Sequence, residues 1–170
     1  MPKQQKTNAM RILEAAGINH TAYTYDAADG KTDLRAVAEK LGKKPSELFK
    51  TLVARGGKNI YVFCVPGDAE LDLKKAAQAA GEKKIELVAV RELFPLTGYI
   101  RGGCSPVGMK KTYPLFIDAG ARAMERIIIS GGAVGVQLSV SPEDLPRLSP
   151  ARFADLRAAP APGAFSASGS

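Results

Sequence analysis

Apolar positions in the first part of the chain recur at helical spacing, alternate, and recur at helical spacing again. Met10, Ile12, Leu13 and Ala16 predict a helix that Thr7 can cap and Gly17 can stop. Residues 18–25 then alternate as a strand, with Ile18, His20 and Ala22 on one side and Thr21, Tyr23 and Tyr25 on the other. After a loop at 26–30, Leu34, Val37, Ala38 and Leu41 define a second helix, started by Thr32 or Asp33 and ended by Gly42. Pro45 suits the first position of a short helical turn leading into a strand at 50–54. Gly56-Gly57 is a hairpin signal, with a return strand at 59–65. Asp72 caps a third helix closed by Gly81, followed by a strand at 84–89 and a short helix around 91–94.

The last third changes character. Glycines cluster between Gly98 and Gly108, strands are expected at 115–117, 126–129 and 136–140, and Ser130-Gly131-Gly132 turns the chain between the last two. Ser141-Pro142-Glu143-Asp144-Leu145 starts a further helix, and from Pro160 the composition is of low complexity, as expected of a disordered tail. Helices and strands are mixed without the regular alternation of a doubly wound sheet. The expected fold class is mixed α/β (α+β), a curved or closed mixed sheet with peripheral helices. It forms a single domain over 1–158, with 159–170 as tail.

Composition narrows the chemistry. Net charge is +7, and part of the excess lies in the pairs Lys43-Lys44, Lys74-Lys75, Lys83-Lys84 and Lys110-Lys111. These suit either the phosphates of a nucleic acid or solvated element ends. The two cysteines, Cys64 and Cys104, are too few for a disulfide framework or a zinc site, which fits a reducing compartment. The N-terminal residues lack the apolar core of a signal peptide and no apolar run is long enough for a membrane span, so a cytoplasmic location is expected. The one histidine, His20, has no nucleophile signature nearby. No phosphate-binding G-x-x-x-x-G-K loop, convincing dinucleotide fingerprint or metal-ligand spacing occurs, so no cofactor and no metal are expected. The chemistry left is that of lysine, hydroxyls and backbone amides.

Five segments carry a resemblance. They are Phe49-Lys50-Thr51-Leu52, then Leu71-Asp72-Leu73-Lys74-Lys75, then the run TGYIRGGCSPVGMKK from Thr97 to Lys111, then Ile117-Asp118-Ala119, and Ser130-Gly131-Gly132. In identity, order and spacing they resemble the YbaK/EbsC family of Cys-tRNA(Pro) deacylases, over about residues 7–155. The resemblance implies a six-to-seven-stranded mixed barrel with surrounding helices, shared with editing domains of some prolyl-tRNA synthetases. It also implies hydrolysis of the ester that joins a wrong amino acid to tRNA. Cysteine and proline have similar volumes, and selection by small size differences is weak, so a second hydrolytic site is the physical remedy.

By the same resemblance, Lys50 is the essential lysine. As an ammonium it would stabilise charge on the ester carbonyl or contact the ribose and phosphate; as a neutral amine it would be a base. Gly102, Gly103 and Ser105 are expected to line the site, with Ser130 and Gly131 placed similarly. Tyr25 is expected against the terminal adenosine or the amino acid, and Thr51 against the substrate. Cys104 is discounted as nucleophile because no histidine is marked to generate its thiolate. The family is thought instead to use the substrate's own thiol, which attacks its ester and leaves as a cyclic thiolactone. Gln137 stands where some deacylases carry aspartate; its neutral amide can hydrogen-bond but cannot act as a base. The implied partners are aminoacyl-tRNA and a prolyl-tRNA synthetase. Alanine or serine esters as substrates, and a non-catalytic binding module, are the alternatives.

Overall fold

The computed structural model describes residues 6–159; the tail expected from 160 lies outside them. The helix caps form as the sequence predicts. Thr7 Oγ1 accepts the Met10 N–H at 3.1 Å and begins α1 (Asn8–Ala15). Asp33 accepts the Ala36 N–H and begins α2 (Leu34–Leu41). Asp72 accepts from both Lys74 and Lys75 and begins α3 (Leu73–Ala80). Gly42 and Gly81 close the last two helices at φ 68° and 73°, a left-handed conformation that glycine takes without steric cost.

Among the described residues, eight strands form two sheets. Antiparallel β1 (His20–Thr24), β7 (Val136–Val140) and β6 (Ile127–Ser130) make a three-stranded sheet in the order β1-β7-β6. The second sheet has the order β4-β2-β3-β5-β8, from β4 (Glu86–Leu87), β2 (Phe49–Gly56), β3 (Asn59–Pro66), β5 (Leu115–Asp118) and β8 (Ala151–Ala154). The hairpin β2–β3 pairs from Phe49↔Pro66 to Gly56↔Asn59, so its two-residue turn is Gly57-Lys58, one position later than expected. β5 pairs parallel with both β3 and β8. A single parallel bridge, Leu48↔Ile128, links the two sheets. The mixed α/β class is as expected, with peripheral helices around the sheets; it differs in that, among the described residues, the strands make two bridged sheets and do not close into a barrel.

Three further differences have local causes. Expected strand 84–89 shrinks to the two residues of β4, because Ile85 turns into the core under α3 instead of pairing. Helix α4 (Val90–Thr97) runs through Pro95, with Gly98 N–H bonding Phe94 O at 2.8 Å to close it. The segment after Ser141 forms a 3-10 turn, Pro142–Arg147, with a second proline, Pro146, inside it.

The main core lies between the inner faces of the sheets. Phe49, Val62, Cys64 and Ile117 meet Ile127, Ile129, Leu138 and Val140 there, and α1 covers one end with Leu13. On the outer face of the larger sheet, Tyr61, Phe63, Val65 and Phe116 pack under Ala76 and Ala77 of α3. β3 is thus buried on both faces, which explains its nearly unbroken apolar sequence. Leu138 is fully buried at the centre. Leu138→Ala is expected to cost about 3 kcal/mol by lost burial and the cavity it leaves. Urea denaturation checks this; a cost under ~1 kcal/mol would mean that the two sheets do not share this core.

Candidate active site

The ends of β2, β6 and β7, the start of α2 and the glycine loop after α4 converge on one cleft of about 420 Å³. β2 contributes Phe49, Lys50 and Thr51; β6 and β7 contribute Ser130 and Gln137, directly paired in the sheet register. The loop contributes Arg101, Gly102 and Cys104, and α2 contributes Asp33, Leu34 and Arg35, with Gly67 beside them. Of the expected residues, Lys50, Thr51, Gly102, Ser130 and Gln137 are brought together here.

Lys50 is partly exposed. Its Nζ lies 3.7 Å from a carboxylate oxygen of Glu70, a side chain 86% exposed. A pair this open is weak and screened by salt, so it does not commit the ammonium. Thr51 Oγ1 lies 3.8 Å from Cys64 Sγ. Ser130 Oγ accepts the Gly132 N–H at 3.3 Å, which sets the turn after β6. Gln137 is 7% exposed, and among the described residues its amide makes no side-chain hydrogen bond. It offers the cleft a donor and an acceptor without charge.

Four expected residues stand behind the cleft and do not line it. Ser105 is fully buried, and its Oγ accepts the Val107 N–H at 3.2 Å, so it shapes the loop. Gly103 packs against the other glycine loop: a Cβ there would lie 3.0 Å from Val134 N and 3.1 Å from Ala133 Cα. A Cβ on Gly131 would meet the Val136 side chain at 2.5 Å. Tyr25 packs with Val37, Ala38, Leu48 and Ile128 between α2 and the smaller sheet. Its buried hydroxyl has no hydrogen-bond partner among the described residues. The glycines are thus required by loop-on-loop packing, which holds the cleft wall rigid, and Tyr99 locks the same wall by donating to Val107 O at 2.6 Å.

Burial pushes the Cys104 thiol up to about 11 and the Cys64 thiol up to about 12. Near neutral pH both are thiols, not thiolates, and neither is a competent nucleophile. Among the described residues no group of three or more His, Cys, Asp or Glu could hold a metal ion.

Sequence reasoning missed Arg35 and Arg101. With Lys50 they give the cleft three cations, against one lining acid, Asp33, whose carboxylate caps α2. Among the described residues neither arginine has a carboxylate within 4.0 Å. Arg101 lies within the TGYIRGG run, whose signal is carried by its glycines; Arg35 sits on the polar side of α2, where periodicity is silent.

A mixed two-sheet fold with a cationic cleft of hydroxyls, amide and lysine defines a class, and comparison with known proteins supplies the family. Residues 28–148 match the family model for the aminoacyl-tRNA editing domain, and the chain belongs to that family. It is 43% identical over 154 residues to EbsC of Enterococcus faecalis, assigned as a Cys-tRNA(Pro)/Cys-tRNA(Cys) deacylase, covering 90% of this chain and 94% of that one. It is 32% identical over 98 residues to a proline–tRNA ligase of Shouchella clausii, covering 58% of this chain but only 17% of the ligase. A solved structure described as a trans-editing enzyme for prolyl-tRNA synthetase superposes with a TM-score of 0.80 at 27% identity, over 92% of this chain and all of that one.

Two outcomes follow from the wall. Gly103→Ala must displace backbone, not a flexible side chain, and is expected to lower ester hydrolysis at least tenfold while the protein stays folded by circular dichroism. Full activity in that variant would show that the loop contact does not set the cleft. Iodoacetamide at pH 8 is expected to leave Cys64 and Cys104 unmodified in the native protein, read by mass spectrometry; rapid labelling of Cys104 would contradict its protonated state.

Proposed function

We propose that this protein is a freestanding aminoacyl-tRNA deacylase whose substrate is Cys-tRNA(Pro), acting in the cytoplasm where mischarged tRNA arises. The observation that carries the reading is the convergence of Lys50, Thr51, Ser130 and Gln137 with the backbone at Gly102 in one cleft, in a chain of the editing-domain family. Its extensive similarity to EbsC supports the substrate.

The cleft supplies charge and hydrogen bonds but no nucleophile. Lys50, as an ammonium, stabilises the oxyanion that develops on the ester carbonyl. The Thr51 and Ser130 hydroxyls and the Gln137 amide are placed to hold the amino acid and ribose. The cysteinyl sulfur then attacks its own carbonyl carbon. A C–S bond forms, the ester C–O bond breaks, and the ribose oxygen leaves with the proton lost by the thiol. Water subsequently opens the released thiolactone to cysteine. Holding reactants in a near-attack geometry is worth several kcal/mol and needs no protein nucleophile. Selection of the tRNA falls to a prolyl-tRNA synthetase partner, since a domain of this size covers little of a tRNA. Gln137, neutral in a cationic cleft, leaves open the second reading, hydrolysis of alanyl or seryl esters.

Single-turnover deacylation separates these. Wild type is expected to clear Cys-tRNA(Pro) and to spare Ala-tRNA(Pro), and Lys50→Ala is expected to lose at least 100-fold in rate. Glu70→Gln is expected to change the rate less than about threefold, because that pair is exposed. Equal loss of the alanyl ester would reject the substrate-thiol mechanism. Failure on both esters would leave a binding module.

A further inference from the structure

A second recess, of about 580 Å³, lies beside the cleft and is lined by Gly30, Lys31, Thr32, Asp33, Arg101 and Gly102. Asp33, Arg101 and Gly102 line both, so the two are continuous and Arg101 marks their junction. The outer recess is cationic: Lys31 and Arg101 border it, and the one carboxylate, Asp33, is turned to the helix as a cap. Neither cation has an ion-pair partner among the described residues. Gly30 and Gly102 have φ of 76° and 88°, which keeps bulky side chains off both banks.

The bank that carries Lys31 is held in place. Lys40 Nζ, on α2, donates to Asp26 O at 2.7 Å, Asp29 Oδ1 at 2.8 Å and Lys31 O at 2.9 Å. Its ammonium is saturated by these three acceptors and also lies over the Tyr25 ring at 5.7 Å. A loop tied at three points from one helix is a fixed wall; a merely exposed loop would need no such clamp.

We propose that this outer recess binds the backbone phosphates of the single-stranded 3′ end of the tRNA, immediately before the terminal aminoacyl-adenosine, with Lys31 and Arg101 as the phosphate ligands and Lys40 as the residue that positions Lys31. The inference rests on the deacylase reading and extends it. An ester seated at Lys50 leaves the preceding nucleotides to exit past Arg101, and two unpaired cations on rigid banks fit phosphate oxygens. Bases need not be read here, because every tRNA ends in the same sequence.

The test separates this from the parent reading by measuring binding and hydrolysis independently. Binding of a fluorescent RNA minihelix ending in CCA is followed by anisotropy against salt concentration for wild type, Lys31→Ala, Arg101→Ala, Lys40→Met and the exposed control Lys84→Ala. Lys31→Ala and Arg101→Ala are each expected to weaken binding several-fold and to flatten the slope of log K against log salt by about 0.7, the loss of one phosphate contact on a single strand. Lys40→Met is expected to weaken binding with the slope kept, since it removes an anchor and not a contact; Lys84→Ala is expected to change neither. In parallel, KM for Cys-tRNA(Pro) should rise in Lys31→Ala more than KM for 3′-cysteinyl-adenosine, which lacks the preceding phosphates. Wild-type slopes in both recess variants, or a flattening as large in Lys84→Ala, would overturn the proposal. If wild type cleaves neither ester, the parent reading fails and the minihelix data alone decide the recess.

Discussion

Two glycine loops, one from each sheet system, touch backbone to backbone. Gly103 faces Ala133 and Val134 so closely that a Cβ would lie 3.0 Å from Val134 N, and the backbone would have to give way to admit it; Gly132 lies against the Tyr99 ring, where a Cβ would come within 3.1 Å. This contact is the constraint on which the cleft depends. Apart from the packed core and the bridge Leu48↔Ile128, it is what fixes the two sheets relative to each other at the functional end. It is made of backbone, so it has no rotamers through which to relax, and it holds Gly102 and Cys104 opposite Ser130 and Gln137.

The site inherits rigidity from elements that are buried for other reasons. Phe49, immediately before Lys50, is anchored in the main core, and Leu138, immediately after Gln137, is anchored in the same core from the other sheet. Lys50, Ser130 and Gln137 are each adjacent in sequence to a buried apolar side chain, Phe49, Ile129 and Leu138. Strand alternation turns Gln137 and Leu138 to opposite faces, so Leu138 fills the core while Gln137 serves the cleft, and Phe49 bridges the two, packed in the core and bordering the cleft beside Lys50. Preorganisation of this kind is what the proposed substrate-thiol reaction would require of the cleft, whose part in it is geometry and charge.

Much of the fold was legible where its causes are local. Thr7, Asp33 and Asp72 cap helices through hydrogen bonds two or three residues away, and Gly42 and Gly81 stop them, so the sequence states both ends. β8 was not legible: Ala151-Arg152-Phe153-Ala154 has little strand pattern, and it is a strand because β5 offers it an edge. The same holds for the 3-10 turn Ala119–Ala123, set by Asp118, whose carboxylate accepts from Gly120 and from distant Leu156. At the site, the resemblance identified the loops but not which of their residues face the cleft. Ser105 and Gly103 maintain its shape from behind, and Arg35 and Arg101 face it without any motif of their own.

The registers of the smaller sheet bear on how the protein is made. Among the described residues β1 pairs only with β7, His20 opposite Val140, and β5 receives its outer neighbour from β8. A chain leaving the ribosome therefore holds β1 unpartnered until Val136–Val140 has followed it. The β2–β3 hairpin can form early because its partners are adjacent, but neither sheet is complete until the last strands emerge. Cleft and core consequently mature together, once β6, β7 and β8 have emerged, and a product cut short before them lacks Ser130 and Gln137 and so has no assembled cleft.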